Sequence, residues 1–205
     1  MGTDDGRSTR TSARVTPIEL RPFTPDLLGA VAPWFDDAET VRWLGGRDWP
    51  ENLLRLIADP PQEHRGSTVR ERAGWIATLD GDPVALIDTE VYEDGTAAVA
   101  LVVAPAQRRR GVGASALAAI GELLARSRGV DMLVGGVEQH NEASHRCVKA
   151  TGFVAVADDP DEEGFINYVL RLGPAGADKG ASGAASRSSR TPGERPSASR
   201  PDRPR

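Results

Sequence analysis

Residues 100–115, Ala100-Leu-Val-Val-Ala-Pro-Ala-Gln-Arg-Arg-Arg-Gly-Val-Gly-Ala-Ser115, decide how this chain is read. The β-branched run at the start reads as a buried strand. A turn through Pro105 follows, then Arg108, Arg109 and Arg110, then Gly111-Val112-Gly113 opening an apolar-periodic helix. A glycine-rich turn at a helix N-terminus leaves backbone N–H groups without intrahelical acceptors and carries the positive end of the helix dipole. That is a seat for a phosphate or pyrophosphate. Glycine lets the backbone approach such a ligand with no Cβ in the way. The three arginines add charge around it.

Three kinds of ligand use turns of this sort. A P-loop needs Gly-Lys-Ser/Thr at the end of the turn, and here Gly113 is followed by Ala114-Ser115. A dinucleotide fingerprint is matched formally by Gly111-x-Gly113-x-x-Ala116, but it should begin directly off the strand, and residues 104–110 intervene. The acidic residue at the expected distance, Asp131, precedes the next strand instead of following it. The third option is the pyrophosphate of coenzyme A.

Arg108-x-x-Gly111-x-Gly113 resembles the Arg/Gln-x-x-Gly-x-Gly/Ala signature of the GNAT superfamily of acetyl-CoA-dependent N-acetyltransferases. Downstream, Asn141-Glu-Ala-Ser144-His-Arg146-Cys-Val-Lys-Ala-Thr-Gly152-Phe153 resembles that superfamily's second signature, Asn-x-x-Ser followed by Gly-Phe. A strand at residues 132–137 separates the two. The resemblance covers roughly residues 15–172 and is most specific over 101–153. Asn-Glu-Ala-Ser-His-Arg is similar to the branch of ribosomal-protein N-terminal acetyltransferases and aminoglycoside 6′-N-acetyltransferases. So is Trp34-Phe-Asp-Asp-Ala-Glu-Thr-Val-Arg-Trp-Leu-Gly45.

The resemblance implies an α/β GNAT fold, a mixed, mostly antiparallel sheet flanked by helices, with acetyl-CoA as cosubstrate. It implies that backbone groups of Leu101, Val102 and Val103 hold the pantetheine arm and thioester. The pyrophosphate would sit on residues 108–114: Arg108, Arg109, Arg110, Gly111 and, foremost, the N–H groups of Val112, Gly113 and Ala114. Asn141 would meet the pantetheine amides or cap the following helix, and Ser144 would help there or pack the helix. Gly152 and Phe153 read as a helix-ending glycine and a core aromatic. The acceptor would be a small-molecule primary amine or a protein N-terminus, attacked directly in a ternary complex. A non-catalytic acyl-CoA sensor is the rival. Many members carry a Tyr seven residues after the Asn as acid for the leaving thiolate. Here that position is Val148, which carries no proton to give.

The general base has to come from elsewhere. Period-two alternation over residues 84–92 puts Leu86, Asp88, Glu90 and Tyr92 on one strand face. Two carboxylates there are costly unless solvated, paired with arginines, or used. Glu90, then Asp88, are the candidates to bind a cationic amine or take its proton. Asp36, Asp37 and the acidic run 158–163 read as solvated loops able to attract a cation. Trp43 and Trp49 flank Gly45-Gly46 and could line a substrate cleft, with core packing the expected place of Trp43. Cys147 is the one thiol and lacks a visible base, so an acyl-enzyme route has no convincing nucleophile. His64, His140 and His145 do not share metal-ligand spacing, and no metal is expected.

Composition fits this picture. The 205 residues suit one domain, with 39% hydrophobic residues to build its core. No apolar run approaches a membrane span, and residues 1–14 hold no apolar signal segment, so a soluble cytoplasmic protein is expected. Residues 1–13 read as a polar tail and residues 173–205 as a disordered Gly/Ala/Ser/Pro/Arg-rich tail around a domain at 14–172. The net charge is −5 over the chain, of which the C-terminal tail holds +4, leaving −9 on the domain. An acidic body disfavours nucleic acid and favours a cationic partner.

The expected elements are a strand at 15–21, a helix from the Thr24 cap to residue 34 or 35, and helices at 39–44 and from Pro50 to Pro60. Strands follow at 75–79, 84–92 and 96–103, joined by turns at 80–82 and 93–95. A helix at 111–126, a strand at 132–137, a helix at 142–150 and strands at 153–156 and 165–172 complete the order.

Overall fold

The computed structural model describes residues 17–173. Residues 1–16 and 174–205 lie outside the described residues, and with them the expected tails and the start of the first expected strand. That strand, β1, is Glu19–Pro22. The first expected helix forms in three short pieces: a 3-10 turn Pro25–Leu27, α1 Leu28–Val31, and a 3-10 turn Ala32–Asp36. Pro33 has no N–H to donate and its ring crowds the preceding turn, so a continuous α ladder cannot run through it. Thr24 makes no side-chain cap bond. α2, Ala38–Leu44, is capped instead by Asp37, which accepts from the Thr40 amide at 2.9 Å, and it stops at Gly45, with φ 85°. α3 is Trp49–Ala58.

Two strands are longer or newer than the sequence suggests. β2, Glu63–His64, pairs with the start of β3, Ser67–Leu79, whose first half is masked by the polar run Arg70-Glu71-Arg72. β3 turns into β4, Asp82–Tyr92, through Asp80-Gly81, with φ 53° and 88°. Two consecutive left-handed residues are the two-residue hairpin geometry that matches strand twist. β5, Thr96–Val103, leads to a 3-10 turn Pro105–Gln107 and then α4, Val112–Arg128. β6, Met132–Glu138, α5, Glu142–Thr151, β7, Val154–Ala155, and β8, Phe165–Arg171, complete the chain.

The eight-stranded sheet runs β1-β3-β4-β5-β6-β8-β7, with β2 on β3 off this path. β5–β6 is its parallel pair, and the other pairs are antiparallel. The core divides by sheet face. Ile87 and Val91 of β4 pack with Ala116, Leu117, Ile120 and Leu124 of α4. Leu86, on the opposite face, packs with Val102, Ile76 and Phe23 beneath Val31, Phe35 and Leu53 of the N-terminal helices. Each Val, Leu, Ile or Phe among them, fully buried, stabilises by about 1.5–3 kcal/mol. Asp88 and Glu90 share the face of Leu86, so they lie on the side of the N-terminal helices.

Candidate active site

The parallel pair is short. β5 and β6 are in register only from Thr96 to Ala98 and from Met132 to Val134. Beyond that, β5 stays paired with β4 as far as Val103, and β6 stays paired with β8 as far as Glu138. The two strands part and leave backbone groups of both facing a cleft of about 1130 Å³. Gly135 stands where they part, and a Cβ there would come within 3.3 Å of the Val99 carbonyl. Leu101, Val102, Val103 and residues 108–114 line this cleft, as do Asn141 and Ser144, so one concavity gathers every residue the resemblance assigned to the cofactor.

At the turn, Arg109 and Gly111 both have positive φ, 61° and 80°. Left-handed residues in a turn collect successive N–H groups into an anion-binding concavity. Gly111 is the N-cap of α4, and the Ser115 amide donates to its carbonyl at 3.0 Å. Val112, Gly113 and Ala114 are the first helical positions, whose amides have no intrahelical acceptor. Arg109 and Arg110 are exposed beside them.

Arg108 differs. Its guanidinium meets Asp37 at 2.7 Å, Glu39 at 2.8 Å and the Thr40 hydroxyl at 2.6 Å. Its side chain ties this turn to the start of α2. Asp36 is likewise paired, with Arg47. Gly113 departs from expectation. Its absent Cβ would point inward, 2.8 Å from the Cys147 Sγ and 3.4 Å from Leu101 and Val103. This glycine therefore permits close approach of α4 to α5. Gly113→Ala is expected to destabilise by about 1–3 kcal/mol through overpacking. Adding Cys147→Ala should restore most of the loss, read as melting temperature.

Asn141 caps α5. Its Oδ1 accepts from the Ser144 amide at 3.1 Å, which leaves its amide NH2 as a donor at the cleft. Gly152, with φ 94°, ends the helix, and Phe153 is buried.

On the other face, Asp88 and Glu90 join Arg72 of β3 and His64 of β2. Arg72 holds Asp88 with two nitrogens, at 2.7 and 3.3 Å, and reaches Glu90 Oε2 at 3.4 Å. His64 Nδ1 lies 2.8 Å from the same Oε2. Glu90 has a 5% exposed side chain and a buried Oε1 with no partner among the described residues. One arginine faces two carboxylates, so one negative charge stays uncompensated while His64 is neutral. Burial pushes the Asp88 carboxyl above its ordinary value, and the Arg72 charge works against that shift. In register, Glu90 is opposite Ala98, where β5 and β6 are about to part, and Asp88 is opposite Ala100.

The comparisons with known proteins agree with this architecture. The family model described as "Acetyltransferase (GNAT) domain" matches residues 18–154. The chain belongs to the GNAT acetyltransferase family. A search among curated protein sequences returned no match. Among solved structures, aminoglycoside acetyltransferase AAC(6′)-Ib with paromomycin and acetyl-CoA is 21% identical, covering 76% of this chain and 93% of that one at a TM-score of 0.63. The GNAT domain of the S. lividans protein named PAT is 19% identical, over 76% and 90%, at 0.57. An acetyltransferase from Thermus thermophilus is 23% identical, over 76% and 97%, at 0.58. At these identities the likeness is one of fold.

Within this GNAT domain, the structure places four side chains that sequence reasoning left open or put elsewhere. Trp43 lines the cleft, with Arg42 stacked 4.4 Å over its ring, whereas Trp49 stacks on Phe35 in the core. Tyr168 lines the cleft with its hydroxyl 2.9 Å from His145 Nδ1. His64 reaches Glu90 from a two-residue strand that has no periodic signal. Among the described residues, no helix is long and apolar enough to cross a membrane, and no three His, Cys, Asp or Glu are grouped to hold a metal.

The link between turn and α2 has a pH signature. The Asp37 carboxyl is held below its ordinary 3.8 by the Thr40 amide first and by Arg108 next. A depressed carboxyl contributes stability above its unfolded value and loses it as pH falls through the folded one. Asn caps helices as well as Asp does, so Asp37→Asn removes mainly the charge facing Arg108. The variant should melt lower than wild type at neutral pH, and the gap should close as pH falls below about 4.

Proposed function

We propose that this chain transfers the acetyl group of acetyl-CoA to a primary amine, by direct attack in a ternary complex. The observation that carries the reading is the cleft between β5 and β6, which gathers the glycine turn, the free edge of β5 and Asn141; Glu90 and Asp88 do not line it, and lie one strand away on β4, paired with β5. In this reading the amides of Val112, Gly113 and Ala114 take the pyrophosphate, with Gly111, Arg109 and Arg110 around them. Arg108 contributes its backbone and fixes the turn to α2. The free backbone edge of Leu101, Val102 and Val103 aligns the pantetheine arm and holds the thioester, which supplies orientation and polarisation. The Asn141 amide and Ser144 bind the arm from the opposite wall.

Glu90 takes the proton of the attacking amine, because its Oε1 has no other partner, whereas Arg72 engages both oxygens of Asp88. Asp88 is the second choice. The acidic domain favours a cationic small-molecule amine. A protein N-terminus is the other acceptor class. Neither a metal nor a nucleic acid has a part in this reading.

The test is free-thiol release from acetyl-CoA with kanamycin, ribostamycin, paromomycin and a short peptide with a free N-terminus. Release that depends on one of these amines, with the amine acetylated, supports the reading. Acetyl-CoA binding with no amine-dependent release supports a sensor.

A further inference from the structure

If the acetyl-transfer reading holds, the departing sulfur needs a proton, and Val148 stands where related enzymes place an acid. The position of the sulfur follows from the cleft. A pantetheine arm that starts at the glycine turn runs back along the edge of β5 that β6 leaves free, residues 99–103, about 13 Å at strand rise. Its acyl end therefore arrives where β5 and β6 part, level with Val99. Gly135 is the β6 residue at that level, close against the Val99 carbonyl, and Tyr168 of β8 is its register partner. Tyr168, Cys147 and Val148 all line the cleft and belong to the same packed cluster.

We infer that Tyr168 is the acid of this reaction: its hydroxyl, held by His145, protonates the departing sulfur of coenzyme A.

The local hydrogen bonds set the roles. His145 Nε2 lies 3.2 Å from the Gln139 carbonyl, which only accepts, so Nε2 carries a hydrogen. In the neutral ring Nδ1 is then an acceptor, and the Tyr168 hydroxyl donates to it at 2.9 Å. His145 is 8% exposed and Tyr168 3%, so the pair is packed in one geometry. His145 acts through Tyr168 and is a positioning residue. Cys147 is another protic group on this wall, but its Sγ is packed against Gly113 at the head of α4; Asn141 and Ser144 are at the start of α5, where they are assigned to the arm. An ordinary phenol titrates near about 10 and an ordinary thiol near about 8.5, close enough for a proton to be shared as charge builds on sulfur.

The step balances. The amine nitrogen forms the C–N bond and its proton passes to Glu90. The C–S bond breaks with its electron pair going to sulfur. The Tyr168 O–H bond rotates away from His145 and gives its proton to that sulfur, leaving a thiol and a phenolate. As products leave, water returns a proton to the phenolate and takes one from Glu90. A neutral amine and a thioester thus become an amide and a thiol with no net proton change. The two groups act from opposite faces of the sheet, Glu90 from the side of the N-terminal helices and Tyr168 from the side of α4 and α5.

The experiment uses the full chain, acetyl-CoA and whichever amine of the panel above is acetylated. Tyr168→Phe keeps the ring and removes one oxygen. It should lower kcat at least about tenfold, toward the roughly 10²–10⁴-fold cost of a lost general acid. The KM for acetyl-CoA and the calorimetric affinity for coenzyme A should stay within about twofold, since the hydroxyl acts only as sulfur leaves. His145→Gln is the second variant, expected to lower kcat less and to leave coenzyme A affinity unchanged. A Tyr168→Phe kcat within about twofold of wild type overturns the inference while leaving the acetyl-transfer reading standing. So does a loss seen in KM and coenzyme A affinity instead of kcat. Wild-type protein that acetylates no amine of the panel overturns the reading and the inference together.

Discussion

Ala114→Glu is expected to reduce acetyl-CoA affinity at least a hundredfold while leaving the fold in place. Ala114 is the third residue of α4, half-buried, and lines the cleft beside the turn. Glutamate at that helix position is favourable in itself, because it faces the positive end of the dipole and can reach back to the cap. The variant should therefore melt no lower than wild type. Its carboxylate lies where the pyrophosphate would sit, and two anions sharing one set of amides repel strongly in a partly buried site. Gly113 is a poorer place for this test, because a side chain there strikes Cys147 and confuses misfolding with lost binding. Titration calorimetry with coenzyme A decides it. An affinity within threefold of wild type would remove the pyrophosphate from this turn.

Glu90→Gln is expected to lower kcat by about 10²-fold or more, the usual cost of losing a general base. Coenzyme A affinity should be unchanged, since Glu90 is on the opposite face of the sheet from α4. The amide retains the shape and removes one of two buried carboxylates facing a single arginine, so stability should hold or rise. Asp88→Asn should cost less in kcat, and more in stability, because it breaks a bidentate pair with Arg72 in which both side chains are 12% exposed. The comparison requires kcat, KM and melting temperature for both variants on one amine. A crippled Asp88→Asn beside a normal Glu90→Gln would exchange the two roles.

The glycine turn and helix start were legible because their geometry is local. A turn of this kind needs glycine and a helix start within a few residues, and Arg108 to Ser115 spell it out. Strand alternation placed Asp88 and Glu90 together for the same reason: a period of two needs no tertiary information. The partners of those carboxylates were not legible. Arg72 and His64 come from a strand half hidden by its own charges and from a strand of two residues, and only the pairing of β3 with β4 and of β2 with β3 orders them. The use of Arg108 was missed because its partners, Asp37 and Glu39, are about seventy residues earlier on a separate helix. Core packing was expected of Trp43, yet it is Trp49 that stacks on Phe35, a contact that sequence spacing does not reveal. Tyr168 falls outside both motifs, and the antiparallel pairing of β6 with β8 is what carries it to the cleft.

The most direct test of the whole account is an initial-rate study of coenzyme A release, with acetyl-CoA and an accepted amine both varied and the acetylated amine identified by mass. The account predicts thiol release equal to amide formed, rates that intersect when plotted reciprocally, and no acetyl group on the protein. Parallel lines with acetyl trapped on Cys147 would contradict direct attack, and tight acetyl-CoA binding with no amine-dependent release would contradict acetyl transfer itself.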